Sequence, residues 1–407
     1  MMWGSLFALV AVCMFSPANA SWKKVTSEME GWSSRVSGHK YYAPLRRRED
    51  HLTVRKNRHT KLMHRHRQLL NTTGDALISI ALKTRKHAKQ VLLEDHGSEF
   101  TGPVMIGSPG QEQQCIFDTG SSMAWIMSTK CTTDVCKMHH QFDSAKSETW
   151  ESSDSKMNIQ FGTGSLSGTL CKDRVKLGGF DLGKVVLGEI TETDGSVFTL
   201  PFDGICGLSY KMQHDDRYCF LDSIENSDQL KEKSFTFYFG ENDSALIFGE
   251  PDSNVRSSEV QWYPVSRKFY WETHLRDVTI DGVSVKDQDK NATVVFDTGT
   301  SVLTMPTSSA TTTMKLLQTA GLNCKQIERG EAPEVCYHFE GRESICLKHW
   351  YEKGESGCTA SLMTLDLADE NIFILGQPFF SAFVTTFDVG NDRIGVSQPA
   401  ANVNLGN

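Results

Sequence analysis

The 407-residue sequence predicts an all-β protein with a few short helices, built as two lobes of similar construction. Short runs rich in Val, Ile, Phe and Thr, bounded by Gly, Asp and Asn, recur along the chain, whereas helical periodicity is scarce. The length exceeds that of one small core and favours two or three domains or one large bilobed one. Nearly the same eight-residue phrase occurs at 115–122 and at 294–301, as expected for repeated lobes.

The strand prediction is most specific in four segments that combine β-branched or aromatic residues with turn residues. In the two-lobed arrangement these strands would form two β lobes related by a pseudo-twofold axis, with a cleft between them. The four segments are 158–170, 234–240, 244–250 and 383–397.

The first twenty residues predict a signal peptide. Residues 6–15 are apolar, and Ala18-Asn19-Ala20 fits the small-residue pattern of a signal cleavage site, although residues 1–5 carry no positive charge. The apolar run is too short to cross a bilayer, and no other stretch approaches the roughly 18–20 apolar residues of a spanning helix. We expect a cleaved leader rather than an anchor, no stable membrane span, and a protein that is secreted or delivered to an acidic vesicle, vacuole or lysosome-like compartment.

The cysteines and glycosylation signals agree with an oxidising compartment. The sequence has 11 cysteines, and the even number left after Cys13 departs with the signal peptide is typical of proteins with disulfides. Acceptor motifs for N-glycosylation begin at Asn71, Asn242 and Asn291. Zinc is the alternative for clustered cysteines, but no Cys-x-x-Cys spacing occurs, so we expect disulfides and no metal site.

Charge is divided unevenly along the chain. Residues 39–90 hold 14 Lys and Arg against three Asp and Glu, and residues 91–407 carry a net charge of −20. A basic run can bind nucleic acid or an anionic membrane, but nucleic acid is a poor candidate for a secreted chain without groove-reading motifs. The other interpretations are a solvated linker and a cationic segment docked on the acidic body. Both stay open for residues 39–68, and the docked segment is favoured for residues 76–93.

The repeated phrase carries the chemistry. Its copies are CIFDTGSS, with Asp118, and VVFDTGTS, with Asp297, and each has a later echo of two apolar residues and a glycine. An apolar strand followed by a glycine turn holds an aspartate rigidly, where Ser and Thr hydroxyls can hydrogen-bond the loop and the carboxylate. If the lobes are related by a twofold axis, the two aspartates meet at that axis. The echoes are Ile205-Cys206-Gly207 and Ile374-Leu375-Gly376.

A pair of touching aspartates has a characteristic chemistry. Two carboxylates in contact cannot both ionise easily, so they share one proton over a wide pH range. Such a pair can hold a water molecule, one member taking its proton while the other protonates a carbonyl oxygen. The sequence therefore predicts hydrolysis without a covalent intermediate, with Asp118 and Asp297 as catalytic residues. Two Asx turns in a β protein are the alternative interpretation.

On these motifs the sequence resembles the pepsin-like aspartic proteases over about residues 100–398. The resemblance implies the bilobed acid-protease fold and an aspartic endopeptidase, made as a zymogen and acting as a monomer without a cofactor. Its substrates would be polypeptides, cut at acidic pH between bulky hydrophobic residues. A catalytically weak or inactive peptide-binding protein on the same fold is the alternative; the two intact aspartate motifs argue against it and Phe161 argues for it.

The resemblance also implies a set of substrate-binding residues. Trp125 would wall the S1 side of the cleft, unless it is an ordinary half-buried tryptophan, and Tyr270 would line the cleft from the second lobe. Residues 159–168 resemble the glycine-rich flap, a hairpin that closes over the substrate. The residues assigned to substrate binding are Gly120, Ser121, Trp125, Phe161, Gly162, Thr163, Tyr270, Gly299 and Thr300.

Two positions depart from the family pattern. Phe161 stands where the family normally has a flap tyrosine, so the ring is kept but a phenol hydrogen bond worth about 1 kcal/mol is lost. We expect activity to survive, with altered flap order and altered pH dependence or specificity. Met123 stands where the family often has Asn, which bears on the loop after Asp118.

Two disulfides follow from the resemblance. One would join Cys131 to Cys136 in the first lobe, and the other would join Cys324 to Cys358 in the second lobe. Cys336 and Cys346 flank a plausible hairpin and can pair with each other. The remaining cysteines are Cys115 and Cys206, on strands expected to be neighbours, where a bridge and two buried thiols are both open, and Cys171 and Cys219, which have no family counterpart.

The basic front of the chain resembles the family's propeptide, which fills the cleft at neutral pH and acts as an intramolecular inhibitor. A propeptide lysine pairs with the catalytic aspartates in the family, and the candidates here are Lys86 and Lys89. Acid would release the segment by protonating its partners, and the mature chain is expected to begin between about residues 88 and 98. The predicted division is 1–20 signal peptide, 21–90 basic propeptide, 91–265 N-terminal β lobe with the first aspartate and the flap, and 266–407 C-terminal β lobe with the second aspartate.

Overall fold

The structure is a computed structural model, and all the residues that it describes belong to one compact unit. The predicted signal peptide and most of the predicted propeptide, including Lys86 and Lys89, lie outside the described residues, as do Gly162, Thr163 and the acceptors Asn71 and Asn242. None of the described helices is long and apolar enough to cross a membrane. The described residues are 90–95, 100–161, 164–195, 200–211, 219–230, 232–240, 243–251, 253–321, 324–354, 357–366, 371–401, 403 and 405.

The described residues form mostly strands, as the sequence predicts. In the first half these are β1 (Gln90–Asp95), β2 (Phe100–Ile106), β3 (Gln111–Asp118), β4 (Ala124–Met127), β5 (Glu151–Phe161), β6 (Gly164–Leu177), β7 (Phe180–Gly195), β8 (Gly204–Gly207), β9 (Ser234–Phe239) and β10 (Ser244–Phe248). In the second half they are β11 (Gln261–Pro264), β12 (Glu272–Leu275), β13 (Asp277–Ile280), β14 (Val283–Ser284), β15 (Ala292–Phe296), β16 (Leu303–Met305), β17 (Val335–His338), β18 (Ile345–Leu347), β19 (Tyr351–Gly354), β20 (Gly357–Ala360), β21 (Leu362–Thr364), β22 (Asn371–Leu375), β23 (Val384–Asp388) and β24 (Arg393–Ser397).

Short helices connect the strands. The longest, α2 (Thr307–Ala320), is followed by Gly321, whose left-handed backbone (φ 61°) is a common helix stop. The described helices are α1 (Phe220–Glu225), α2 (Thr307–Ala320), α3 (Cys324–Glu328) and α4 (Gln377–Phe380), with 3-10 turns at Cys136–Met138, Ser144–Lys146 and Val389–Asn391. The four segments singled out in the sequence fall on β5 with β6, β9, β10, and β23 with β24, so the all-β fold class is confirmed.

Within the described part of the chain, one sheet of 13 strands joins the two halves. Its order is β11-β24-β23-β9-β10-β1-β2-β3-β8-β4-β7-β6-β5. Strand β23, near the C-terminus, pairs antiparallel with β9 from the first half, so the middle of the sheet is shared. The remaining sheets lie in the second half, with the orders β12-β15-β22-β16-β21, β14-β13-β17-β18 and β19-β20. This is the bilobed arrangement of the pepsin-like fold.

The two copies of the repeated phrase fold in the same way. Strand β3 runs parallel to β8, and β15 runs parallel to β22, so each aspartate strand pairs with its own echo. The glycine of each echo leaves room for the loop that follows the aspartate to pass close to its backbone. A Cβ on Gly207 would lie 2.5 Å from the carbonyl oxygen of Ser121, and one on Gly376 would lie 2.1 Å from that of Val302. The glycines of the echoes are therefore required by this close approach.

Aromatic side chains fill the core where the shared strands meet. Phe235 stacks on Phe387 with ring centroids 5.0 Å apart, and Trp271 packs edge-on against both rings. All three side chains are fully buried. Burying one large apolar side chain stabilises a fold by about 1.5–3 kcal/mol. This cluster therefore fastens β9 and β23 to the residue that precedes β12.

Three disulfides close loops in the described structure. The first two are the pairings that the resemblance implies, and the third joins β17 to β18 across the expected hairpin. Among the described residues, Glu334, Cys336 and Cys346 lie close enough together to bind a metal ion, but both sulfurs are in the third disulfide. The pairs are Cys131–Cys136, Cys324–Cys358 and Cys336–Cys346.

The other described cysteines are free thiols. Cys115 and Cys206 are buried beside each other, and the hydrogen bond of the Cys115 thiol with Cys206, together with burial, raises the pKa of Cys115 well above its ordinary value. The structure therefore has two buried thiols rather than a bridge, the second of the arrangements left open by the sequence. Burial raises the pKa of Cys171 and of Cys219 to about 12, so neither is a thiolate nucleophile at neutral pH.

Candidate active site

Each half of the chain delivers one aspartate from the end of a buried strand. Asp118 is the last residue of β3, and Asp297 directly follows β15; their exposed fractions are 0% and 1%. Hydrogen bonds with residues at the ends of the parallel neighbours β8 and β22 fix the backbone of each aspartate. The amide of Leu208 donates to the carbonyl of Asp118 at 2.6 Å, and the amide of Asp297 donates to the carbonyl of Leu375 at 3.0 Å.

Each carboxylate is oriented by the loop that follows it. The amide of Gly120 donates to Asp118 Oδ1 at 2.8 Å, and the hydroxyl of Ser121 donates to Oδ2 at 2.5 Å. The second loop repeats this arrangement on its own aspartate, with the amide of Gly299 at 2.8 Å and the hydroxyl of Thr300 at 2.6 Å. Four residues expected to bind substrate therefore bond the carboxylates in this structure.

The two carboxylates lie against each other. A Cβ on Gly120 would lie 2.5 Å from both carboxylate oxygens of Asp297, and one on Gly299 would lie 2.3 Å from Oδ1 of Asp118. Each loop glycine thus leaves the space that the opposite carboxylate occupies. The two side chains also share a hydrogen bond. The structure therefore brings together the two residues that the sequence predicts to be catalytic.

The environment of the pair favours a shared proton. Burial raises the pKa of Asp118 well above its ordinary range, and the neighbouring charge of Asp297 raises it further. Burial also raises the pKa of Asp297, opposed by hydrogen bonds from Thr300 and Asp118. Because two ionised carboxylates in contact repel each other, the pair keeps one proton at a pH where isolated carboxyls have ionised.

Two threonines cross-connect the aspartate loops. The hydroxyl of Thr119 donates to the carbonyl of Phe296 at 2.8 Å and accepts from the amide of Thr298 at 2.9 Å. The hydroxyl of Thr298 donates to the carbonyl of Phe117 at 2.7 Å and accepts from the amide of Thr119 at 3.0 Å. These bonds set the spacing of β3 and β15. Sequence reasoning missed this role, although an identical threonine in both copies is a signal that could have revealed it.

The two aromatic residues expected in the cleft are buried. Trp125, in β4, is 2% exposed and packs edge-on against Phe202 with ring centroids 6.1 Å apart. Tyr270 is 7% exposed, packs edge-on against Phe269, and belongs to an apolar cluster with Val295 of the second aspartate strand. Trp125 is therefore more deeply buried than a half-buried tryptophan. Substrate contacts by either residue remain a prediction.

The predicted flap lies on a long hairpin of β5 and β6. Its last described pair joins Phe161 to Gly164, and the two residues of the tip lie outside the described structure. Lower in the hairpin, Ile159 pairs with Leu166, and both are buried in one apolar cluster with Trp125. The base of the hairpin therefore packs beside this tryptophan, and the assignment of the tip as a flap remains a prediction.

The fold and the site together define a class of protein. Two repeated β lobes that bring two buried aspartates into contact are the architecture of aspartic-type endopeptidases. The profile described as "Eukaryotic aspartyl protease" matches residues 99–399. The chain therefore belongs to the eukaryotic aspartyl protease family and is an aspartic-type endopeptidase, as the motif resemblance implied.

Individual relatives agree with this assignment. The chain is 31% identical to Pepsin II-2/3 of Oryctolagus cuniculus over 316 residues, covering 74% of this chain and 81% of that protein. It is 30% identical to Pepsin A of Bos taurus over 318 residues (74% and 85%), and 30% identical to Pepsin A of Callithrix jacchus over 328 residues (77% and 84%). Polypeptides are thus the general substrate class, and a secretory-pathway route is favoured in general terms.

Proposed function

We propose that the protein is an acid endopeptidase that hydrolyses peptide bonds with a water molecule activated between Asp118 and Asp297. The contact between the two buried carboxylates carries this proposal. The ionised member takes a proton from water while the protonated member donates to the scissile carbonyl oxygen, which gives a tetrahedral diol. The aspartate that gained the proton of water then donates it to the leaving nitrogen, while the other aspartate takes a hydroxyl proton from the diol as the C–N bond breaks. No bond forms between enzyme and substrate.

The surrounding residues have distinct parts in this mechanism. The loop amides and the hydroxyls of Ser121 and Thr300 do not exchange protons with the substrate. Their hydrogen bonds stabilise the ionised carboxylate and fix its orientation. The threonine cross-connections keep the two carboxylates at the spacing that one water molecule can bridge. Apolar clusters around Trp125 and Tyr270 flank the two aspartate strands, which supports a preference for bulky hydrophobic residues on both sides of the cleaved bond.

A pH profile of the acid-treated precursor tests this function. We expect kcat/KM on a hydrophobic peptide to be bell-shaped between about pH 2 and 7, because only the singly protonated pair is active. Burial and the neighbouring charge raise the pKa of Asp118, so activity should persist above the ordinary carboxyl range. A peptide carrying a hydroxyl in place of the scissile amide should inhibit strongly. Tight peptide binding without turnover across this range would contradict the proposal and support the peptide-binding alternative.

We also propose that the basic front of the chain is an inhibitory propeptide and that the mature enzyme retains β1. This strand pairs with β10 and with β2. The side-chain amide of Gln90 donates to the carbonyl of Leu405 at 2.8 Å, and Leu93 is buried in the core. A cut within β1 would remove pairing from the middle of the shared sheet.

Sequencing the N-terminus of the acid-activated protein checks this boundary. Within the range of about residues 88–98 that the sequence gives, we expect the mature chain to begin at or before Gln90, because a later start would remove part of β1 and its sheet hydrogen bonds. A fully active enzyme that begins between residues 91 and 98 would contradict the retained strand. The boundary between the lobes near residue 265, a monomeric state, passage through the secretory pathway and glycosylation at the exposed Asn291 belong to the same proposal.

A further inference from the structure

A buried tryptophan connects the first half of the chain to the second aspartate strand. Trp271 immediately precedes β12 and is 0% exposed. Its indole Nε1 donates to the carbonyl of Leu208 at 2.8 Å, and its own carbonyl accepts from the amide of Phe296 at 2.9 Å. One residue therefore bonds the first half of the chain through its side chain and the second aspartate strand through its backbone.

These contacts complete a continuous series of hydrogen bonds from Asp118 to the residue that precedes Asp297. The amide of Leu208 donates to the carbonyl of Asp118 at 2.6 Å, and Phe296 is the residue before Asp297. We propose that Trp271 is a positioning residue that holds the two aspartate strands at the separation required for a shared proton. This inference rests on the proposed function and deepens it, because Trp271 acts only through the pair.

The direction of the indole is fixed by its neighbours. The ring packs against Tyr210 with centroids 4.5 Å apart, against Phe387 at 5.0 Å and against Phe235 at 5.9 Å. Beside it, the hydroxyl of Ser209 donates to the carbonyl of Phe269 at 2.7 Å. The indole N–H therefore cannot turn to another acceptor, and its loss leaves the Leu208 carbonyl without this buried bond.

The threonine cross-connections and this indole bond hold the site from different sides. The threonines join the two aspartate loops to each other, whereas the indole bonds the backbone at Leu208, whose amide in turn bonds the carbonyl of Asp118. Without the indole bond, the segment that includes Leu208 can shift and take the Asp118 backbone with it. A wider separation weakens the electrostatic coupling of the pair, so the lower apparent pKa rises and the higher one falls. The bell-shaped activity profile then becomes narrower.

A matched pair of tryptophan variants tests this role. Trp350 is also 0% exposed, and its indole Nε1 also donates to a backbone carbonyl, that of Pro333, at 2.8 Å. Trp271→Phe and Trp350→Phe each remove one such bond and similar ring volume, so their melting temperatures should fall alike. We expect Trp271→Phe alone to narrow the pH profile and to lower kcat by about tenfold or more.

Equal pH-profile widths in the two variants would overturn the inference. If Trp271→Phe does not fold, benzothienylalanine placed at position 271 keeps the shape of the indole and removes only the N–H, and the same narrowing is expected. Asp118→Asn is measured in parallel. An active Asp118→Asn enzyme would remove the proposed function itself, whereas an inactive one with an unchanged Trp271→Phe profile would remove only this inference.

Discussion

Asp118→Asn and Asp297→Asn should each lower kcat by about 10⁴-fold or more, because each removes both an acid and a base from the same site. Asparagine matches aspartate in size, so the loops keep their packing while the pair loses its exchangeable proton. The structure gives both residues the same surroundings: a buried strand end, one loop amide and one hydroxyl donor. We therefore expect losses of similar size from the two variants.

Steady-state turnover of the acid-activated protein measures this effect, and a buried aspartate away from the site provides the control. Asp173, in β6, is 0% exposed and accepts from the hydroxyl of Thr149 and the amide of Arg174. Asp173→Asn should keep kcat within about tenfold of the unmodified enzyme, since this carboxylate touches neither aspartate loop. Substantial activity in either site variant would show that the pair is not the catalytic centre.

The same variants should change stability with a definite sign. Burial raises the pKa of both aspartates, so the folded protein binds a proton that the unfolded chain has already released. The two raised pKa values therefore lower the free energy of unfolding progressively as the pH rises from the ordinary carboxyl range, near 4, to the pKa of the folded protein. Asp118→Asn removes this contribution, so it should melt at a higher temperature than the unmodified protein at pH 7, with the difference shrinking towards pH 3.

Gly120→Ala should lower kcat by about 10²-fold or more. The added methyl group would lie 2.5 Å from both carboxylate oxygens of Asp297, closer than real contacts allow, so the carboxylate must move. A displacement of about 1 Å at a catalytic group is enough for this loss. Overpacking should also reduce the free energy of unfolding by about 1–3 kcal/mol. Gly299→Ala should act in the same way on Asp118.

Gly390→Ala is the matched control for the glycine variants. Its added methyl group would lie 3.4 Å from the Cβ of Lys233, an ordinary contact, and far from the aspartate loops in the chain. Turnover and thermal unfolding should therefore stay close to those of the unmodified enzyme. If Gly120→Ala and Gly390→Ala gave equal kcat values, the close approach between each loop and the opposite carboxylate would be wrong.

The sequence predicted the site because its signals are local and repeated. Each aspartate follows an apolar strand and precedes a glycine, and the later apolar-apolar-glycine echo marks the parallel neighbour of that strand. The close approach at Gly207 and at Gly376 gives a physical reason for the echo. The repeat thus predicted both the two-lobed fold and the meeting of Asp118 with Asp297.

Other features depend on contacts that leave no local pattern. The indole of Trp271 reaches a carbonyl 63 residues earlier in the chain, and a backbone acceptor has no residue type that a sequence could show. The pairing of β23 with β9 closes the shared sheet across about 150 residues. The sequence left open whether Cys115 and Cys206 form a disulfide, because a prediction that two cysteines lie on neighbouring strands does not decide whether their sulfurs bond.

A crystal structure of the activated enzyme with a peptide that carries a hydroxyl at the scissile position tests the central claim most directly. We expect that hydroxyl to lie within hydrogen-bond distance, about 2.6–3.2 Å, of a carboxylate oxygen of both Asp118 and Asp297. A bound hydroxyl that contacts only one aspartate, or two carboxylates separated beyond the reach of a single water molecule, would contradict the account.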